Sequence, residues 1–142
     1  MKQVSILNDE IFAACLNNTG IKKADLENPN LIDFSQWQTV ITGNYYTMNS
    51  INNKLYSSRE NKVIYELDGA SINTLFTLPA LPLDADVSES SLIFSTPNTV
   101  YVYDENIQLI NSFQPMADFD TSFTSATLLD GFIYIGTETL GV

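Results

Sequence analysis

At 142 residues the chain is long enough for one ordinary domain with its own core, and 44% hydrophobic against 16% charged content argues against a disordered polymer. A net charge of −11, from 17 acidic and 6 basic residues, argues against nucleic acid or an anionic membrane as partner, because phosphate binding needs a Lys/Arg surface. No apolar stretch approaches a membrane-spanning length of about 18 residues, so direct membrane insertion is not expected.

Val4–Leu7, a turn at Asn8-Asp9 and Glu10–Leu16 read as a first hairpin, which continues through Asn17-Asn18-Thr19-Gly20 into Ile21–Leu26. Asn17-Asn18-Thr19 is formally a glycosylation sequon, near chance in a chain this rich in asparagine. Cys15, the single cysteine, lies in the apolar Ile11–Leu16 run and is expected to be a buried, inert thiol; alone it forms no intrachain disulfide. Glu27–Asn30 is a loop. Leu31–Thr42 is expected to supply an outer strand, although the Phe34/Trp37/Ile41 spacing also suits a short helix.

Gly43-Asn44 breaks the chain, and Tyr45–Ile51 opens a second set of strands: Lys54–Ser58, Lys62–Leu67 and Ser71–Leu78. Asp68-Gly69 is the strongest hairpin signal, since a two-residue primed turn favours those residues. Pro79 and Pro82 mark the next crossing. Leu83–Val87 opens a third set, continued by Leu92–Ser95, Val100–Tyr103 and Ile107–Phe113, with turns at Pro97-Asn98 and Asp104-Glu105-Asn106. Gln114-Pro115-Met116 leads out to a strand within Phe119–Leu129, a turn at Asp130-Gly131 and a strand Phe132–Gly136.

Laid on itself, the sequence repeats: apolar pair, small residues, Asn, apolar run, acidic turn. The first apolar residues of the copies, Ile11, Leu55, Leu92 and Phe132, are 44, 37 and 40 apart. A four-stranded unit at that period is the signature of a propeller blade. The expected fold is all-β, a partial β-propeller of about three and a half four-stranded antiparallel blades, at roughly 1–42, 43–80, 81–116 and an incomplete 117–142. A plain antiparallel sandwich is the rival. Because four to eight blades normally close a propeller, the stretch is expected to be a fragment, or to need a partner over its open edges. No apolar run follows Met1-Lys2-Gln3, so this stretch is expected to carry no signal peptide.

The chemistry is bounded by the lack of histidine. Ser-His-Asp and Cys-His nucleophile systems cannot be built, nor can His-ligated zinc or haem sites. No phosphate-cradling glycine motif occurs. Carboxylates remain. Asp84 and Asp86 share a face if Leu83–Val87 is a strand, and Asp118/Asp120 repeat the spacing; such pairs could bind calcium or act as acid and base. Asp and Asn are equally ordinary where blades begin, satisfying loose backbone groups. Tyr45, Tyr46, Tyr56, Tyr65, Tyr101 and Tyr103 could stack on sugars, but their strand positions suit packing between blades. No residue is therefore assigned a catalytic, cofactor-binding or metal role, and no cofactor is expected.

DGFIYIGTETLGV, from Asp130 to Val142, resembles the propeller repeats of Bacteroidota cell-envelope proteins in its Ile133-Tyr134-Ile135-Gly136-Thr137 and Leu140-Gly141-Val142. TVYVYDENIQLINSF is similar to the PorZ family, surface components of the type IX secretion system with an N-terminal β-propeller; two-component-regulator propellers share the Gly-Thr repeat. The likeness covers Ser90–Val142, whereas Asn53–Gly69 has Ser57-Ser58-Arg59 where Ile-Gly-Thr would stand. This resemblance implies a non-enzymatic scaffold at the cell surface or in the periplasm of a Gram-negative bacterium. It would bind protein or glycan partners, among them secretion-system components or anionic lipopolysaccharide. The alternatives are a ligand-sensing periplasmic propeller of a hybrid two-component regulator, and a quinoprotein-type or lyase propeller. One Trp and no His disfavour the enzyme.

Overall fold

The computed structural model describes every residue except Ala70 and Phe119. The expected range Phe119–Leu129 thus has its first residue outside the described set. The described chain divides into two compact units, Met1–Pro79 and Ala80–Val142.

The first unit holds two four-stranded antiparallel meanders. One runs β1 (Gln3–Leu7), β2 (Glu10–Cys15), β3 (Gly20–Asp25) and β4 (Gln38–Ile41); the other runs β5 (Asn49–Ile51), β6 (Lys54–Ser58), β7 (Val63–Asp68) and β8 (Ser71–Thr77). The second unit holds a third meander, β9 (Asp84–Ser88), β10 (Ser91–Ser95), β11 (Val100–Tyr103) and β12 (Leu109–Phe113), and a pair, β13 (Phe123–Leu129) with β14 (Phe132–Thr137).

Each sheet begins with the same device. A two-residue turn joins its first two strands, and both turn residues have positive φ: Asn8 and Asp9 (49° and 61°), Asn52 and Asn53 (50° and 59°), Glu89 and Ser90 (47° and 58°), Asp130 and Gly131 (51° and 76°). This is the primed geometry whose twist matches that of the strands it joins. The turns fix the register. Leu7 pairs Glu10, Ile51 pairs Lys54, Ser88 pairs Ser91 and Leu129 pairs Phe132. Ile11, Leu55 and Leu92 are therefore each the second residue after the turn, whereas Phe132 is the first. Ile133 holds the equivalent place, and the turns at Asn8, Asn52, Glu89 and Asp130 step by 44, 37 and 41 residues.

The second strand of each full sheet is its most enclosed. Ala13-Ala14-Cys15, Leu55–Ser58 and Ser91–Ser95 are buried on both faces, which is why small residues interrupt their apolar runs. Cys15 is a buried free thiol. In the first unit Phe12, Ala14 and Ile21 pack on Tyr45, Met48, Leu55 and Leu67, sealing sheet against sheet. At roughly 1.5–3 kcal/mol per large buried apolar side chain, this contact dominates the unit's stability. Polar ties reinforce it: Ser50 Oγ donates to the Ile6 carbonyl (2.9 Å) and the Met48 N–H donates to Gln3 Oε1 (2.9 Å). In the second unit Ile93, Val100 and Val102 pack on Phe123 and Ala126, with Ile133 and Ile135 alongside.

Four local expectations shift. The expected Leu31–Thr42 strand contains a 3-10 turn at Phe34–Gln36, capped by Asp33 accepting from the Ser35 N–H (2.9 Å), so only Gln38–Ile41 joins the sheet. Trp37 is buried just after that turn and its indole N–H donates to the Leu31 carbonyl (3.0 Å), which fixes the loop. Asp68 is the last residue of β7, paired with Ser71, so the hairpin turn begins at Gly69 (φ 59°). Ile107 adopts φ 60° and stands outside β12, because Asp104 Oδ1 accepts from both the Asn106 and Gln108 N–H groups and widens the turn. The second opening strand is also short: Tyr45 makes only an isolated bridge to Arg59, and β5 starts at Asn49.

One glycine is obligatory. Gly20 has φ 86°, and a Cβ there would run into the Ile41 carbonyl across the β3–β4 ladder. Ser90, by contrast, adopts φ 58° with a side chain that has to tolerate it. Ser90→Gly should therefore raise stability, by about 1 kcal/mol, the cost of a left-handed L-residue. Gly20→Ala should lower it by about 2–3 kcal/mol or more. Urea denaturation midpoints of the two variants check both signs.

Candidate functional site

The side chains that follow the repeated turn define the main candidate. In the first sheet Glu10 is the first residue after the turn, and Lys23 lies opposite the third, Phe12. In the second sheet Lys54 is the first residue after the turn, and Glu66 lies opposite the third, Tyr56. Each couple forms an ion pair between neighbouring strands, Lys23 Nζ to Glu10 Oε1 at 2.7 Å and Lys54 Nζ to Glu66 Oε2 at 3.3 Å. The two pairs occupy matching places with the signs exchanged. In the third sheet the matching places hold Ser91 and Val102, so the arrangement is confined to the first unit.

Between the two pairs runs a cleft of about 380 Å³. Its rim carries Asn8, Asn53, Asp68 and Gly69 from the turns; its floor carries Leu7, Phe12, Leu55 and Leu67. The Tyr56 hydroxyl donates to Glu66 Oε2 at 3.4 Å. Burial, and then the neighbouring Glu66 charge, push the Tyr56 phenol up to about 12, so it stays a hydrogen-bond donor throughout the physiological range. Glu10 and Lys23 also face a second, polar hollow of about 370 Å³ floored by Ala24, with Asn28, Gln36 and Gln38 around it.

The carboxylates singled out in the sequence separate. Asp84 and Asp86 do share β9 and line a shallow pocket of about 220 Å³ with Ser125, Thr127 and Tyr134. Asp86 Oδ2 accepts from the Thr127 hydroxyl at 2.7 Å, and the neighbouring Ser88 Oγ accepts from the Leu128 N–H at 2.9 Å, so this edge laces β9 to β13. Burial pushes the Asp84 carboxyl above its usual range, with Asp86 adding to the shift. Asp118 lies in a turn and Asp120 outside any element, because β13 begins only at Phe123. No group of three or more His, Cys, Asp or Glu poised for a metal occurs among the described residues.

The tyrosines do not form one surface. Tyr45, Tyr56 and Tyr103 are buried. Tyr45 meets Tyr65 edge-on, with centroids 6.4 Å apart, and lies under the Arg59 guanidinium at 5.7 Å. Tyr103 meets Phe94 edge-on at 6.0 Å. Tyr46 and Tyr101 are half-buried in separate sheets' surroundings. The Glu10/Lys23 and Lys54/Glu66 pairs were not singled out from the sequence. Their signal was present, as opposite charges at matching distances from two Asn-containing turns, but it needed the turn to be taken as the origin of the count.

Neither a family model nor a curated protein sequence matches the chain. Solved structures do. The computationally designed Ika4 protein superposes with a TM-score of 0.66 at 12% identity, over 99% of this chain and 86% of that one. PorZ, a bacterial surface component of the type-IX secretion system of Porphyromonas gingivalis, gives 0.60 at 16% identity over 94% of this chain and 18% of its own. BamB from Moraxella catarrhalis gives 0.61 at 10% identity over 96% and 41%. The chain thus spans less than half of either natural protein. With these propeller proteins as neighbours, its sheets of four, four, four and two strands make it an all-β partial propeller of about three and a half blades. No helix among the described residues is long and apolar enough to cross a membrane.

Two pH dependences follow. A raised carboxyl favours the neutral acid, so ionised Asp84 weakens the fold at neutral pH. Asp84→Asn should raise the denaturation midpoint at pH 7, and the gain should vanish below the ordinary value of 3.8, where the acid is protonated folded or unfolded. Tyr56 and Tyr103 are both pushed up to about 12 from 10, so their contribution is intact below pH 10 and lost as the pH rises to about 12. Alkaline unfolding followed by tyrosinate absorbance should reach higher pH in the double variant Tyr56→Phe/Tyr103→Phe.

Proposed function

We propose that the chain is a binding scaffold with no catalytic role, part of a secretion or surface-attachment protein of the PorZ kind at a Gram-negative cell envelope, where it holds protein or glycan partners. The observation that supports this most is the cleft between the first two sheets. Four of its charged groups are closed into two Lys–Glu pairs at ordinary separations, with Asp68 on the exposed rim, an arrangement suited to orienting a ligand.

Secondary support comes from the fold. A series of like sheets offers clefts between neighbours at regular intervals, and propellers of this kind supply extended docking surfaces with few moving parts. PorZ is itself described as a bacterial surface component, and the likeness of its sheets to these motivates the location proposed here.

The test is fractionation of cells carrying the intact coding region with a small internal tag. The tagged protein should sediment with the envelope, be degraded by protease added to whole cells, and retain specific cross-linked partners. Recovery from the cytosol, untouched by external protease, would sink the reading.

A further inference from the structure

We infer that the cleft between the first and second sheets is a saccharide subsite, holding a neutral sugar by its vicinal hydroxyls. This rests on the scaffold reading and names the ligand class of that scaffold. Two ion pairs, Glu10–Lys23 at 2.7 Å and Lys54–Glu66 at 3.3 Å, stand in matching places with opposite polarity. A carboxylate only accepts hydrogen bonds and an ammonium only donates them, while a hydroxyl does both. A vicinal diol lying across such a pair donates to the carboxylate and accepts from the ammonium. It leaves the charge of each pair balanced, so the ligand brings no uncompensated charge into the cleft.

The rest of the cleft agrees. Leu55 and Leu67 give it an apolar floor, which suits the C–H face of a sugar ring, and its volume of about 380 Å³ lies in the usual range of small-ligand sites. With Asp68 on the rim, three carboxylates stand against two ammonium groups, so a simple anion is not selected, while the two closed pairs suit a neutral ligand. An extended peptide is a poorer fit. Such peptides add to an open strand edge, and β2, β3, β6 and β7 are each paired on both sides.

The experiment is an NMR titration of the isotope-labelled full chain with maltose, lactose and cellobiose. At least one should shift the amides of Glu10–Phe12, Lys54-Leu55 and Glu66–Asp68. In Lys54→Met/Glu66→Gln its Kd should rise about tenfold or more, the loss expected for charge-assisted hydrogen bonds, with the thermal midpoint unchanged. If that variant does not fold, Lys23→Met/Glu10→Gln tests the other pair. No shift with any of the three sugars, shifts confined elsewhere, or a Kd indifferent to the substitutions would each overturn the assignment. Those results leave the scaffold reading intact, whereas a cytosolic protein in the fractionation sinks that reading whatever the sugars do.

Discussion

A sheet of this chain is held to its register by two residues that turn left-handed between its first two strands. The primed turn that joins twisted antiparallel strands by so short a link here places both linking residues at positive φ, a state that costs an ordinary L-residue about 1–2 kcal/mol. Asn-Asp, Asn-Asn and Asp-Gly keep that cost small at three of the turns; Glu89-Ser90 carries more of it. Once the turn is set, side-chain alternation follows with no further choice, since a slip of one residue would expose every buried group. Where the chain departs from the two-residue link, as at Asp104 and Asn28–Gln36, carboxylate and amide side chains take over the backbone N–H groups that the ladder leaves behind.

From that constraint the packing unfolds. The second strand lies between two paired neighbours and is covered on both faces, so it carries alanine, serine and cysteine where a bulkier residue would clash. The fourth strand is the most exposed and mixes polar with apolar residues. In each unit the apolar residues of successive sheets meet in a single seam, Phe12 and Ile21 on Tyr45 and Met48 in one, Ile93 and Val102 on Phe123 in the other. Charge is thereby driven to the strand ends, next to the turns, which is where the cleft with its crossed ion pairs arises.

The strands were largely legible from the sequence because period-two apolar runs cut by Asn, Asp, Gly and Pro have few other readings. Val100–Tyr103 and Lys54–Ser58 fall where the pattern places them. The region before Gln38 was harder. Its Phe34/Trp37/Ile41 spacing carries helical and extended signals together, and the outcome, a single 3-10 turn pinned by the Trp37 indole, depends on a hydrogen bond to Leu31 that no local rule announces. Counting from the first apolar residue misplaced the fourth copy by one position, because Phe132 follows its turn directly. The site was least legible. Paired aspartates attract attention in a sequence, yet Asp86 is engaged by Thr127, 41 residues on, and Asp118 precedes the strand altogether. The crossed ion pairs depend on pairings between strands that sequence distance conceals.

Those exchanged polarities bear on how the polypeptide assembles. Repeated modules of similar sequence run the hazard that a strand from one nucleates on its counterpart in the next during folding. Here such a swap is discouraged locally. Were β2 to pair with β7 in place of β3, Glu10 would sit beside Glu66, and were β6 to take β3, Lys54 would sit beside Lys23. Like charges set against each other on adjoining strands repel. The neighbouring modules are thereby marked as different parts, and a kinetically trapped, domain-swapped chain is disfavoured before any core has closed.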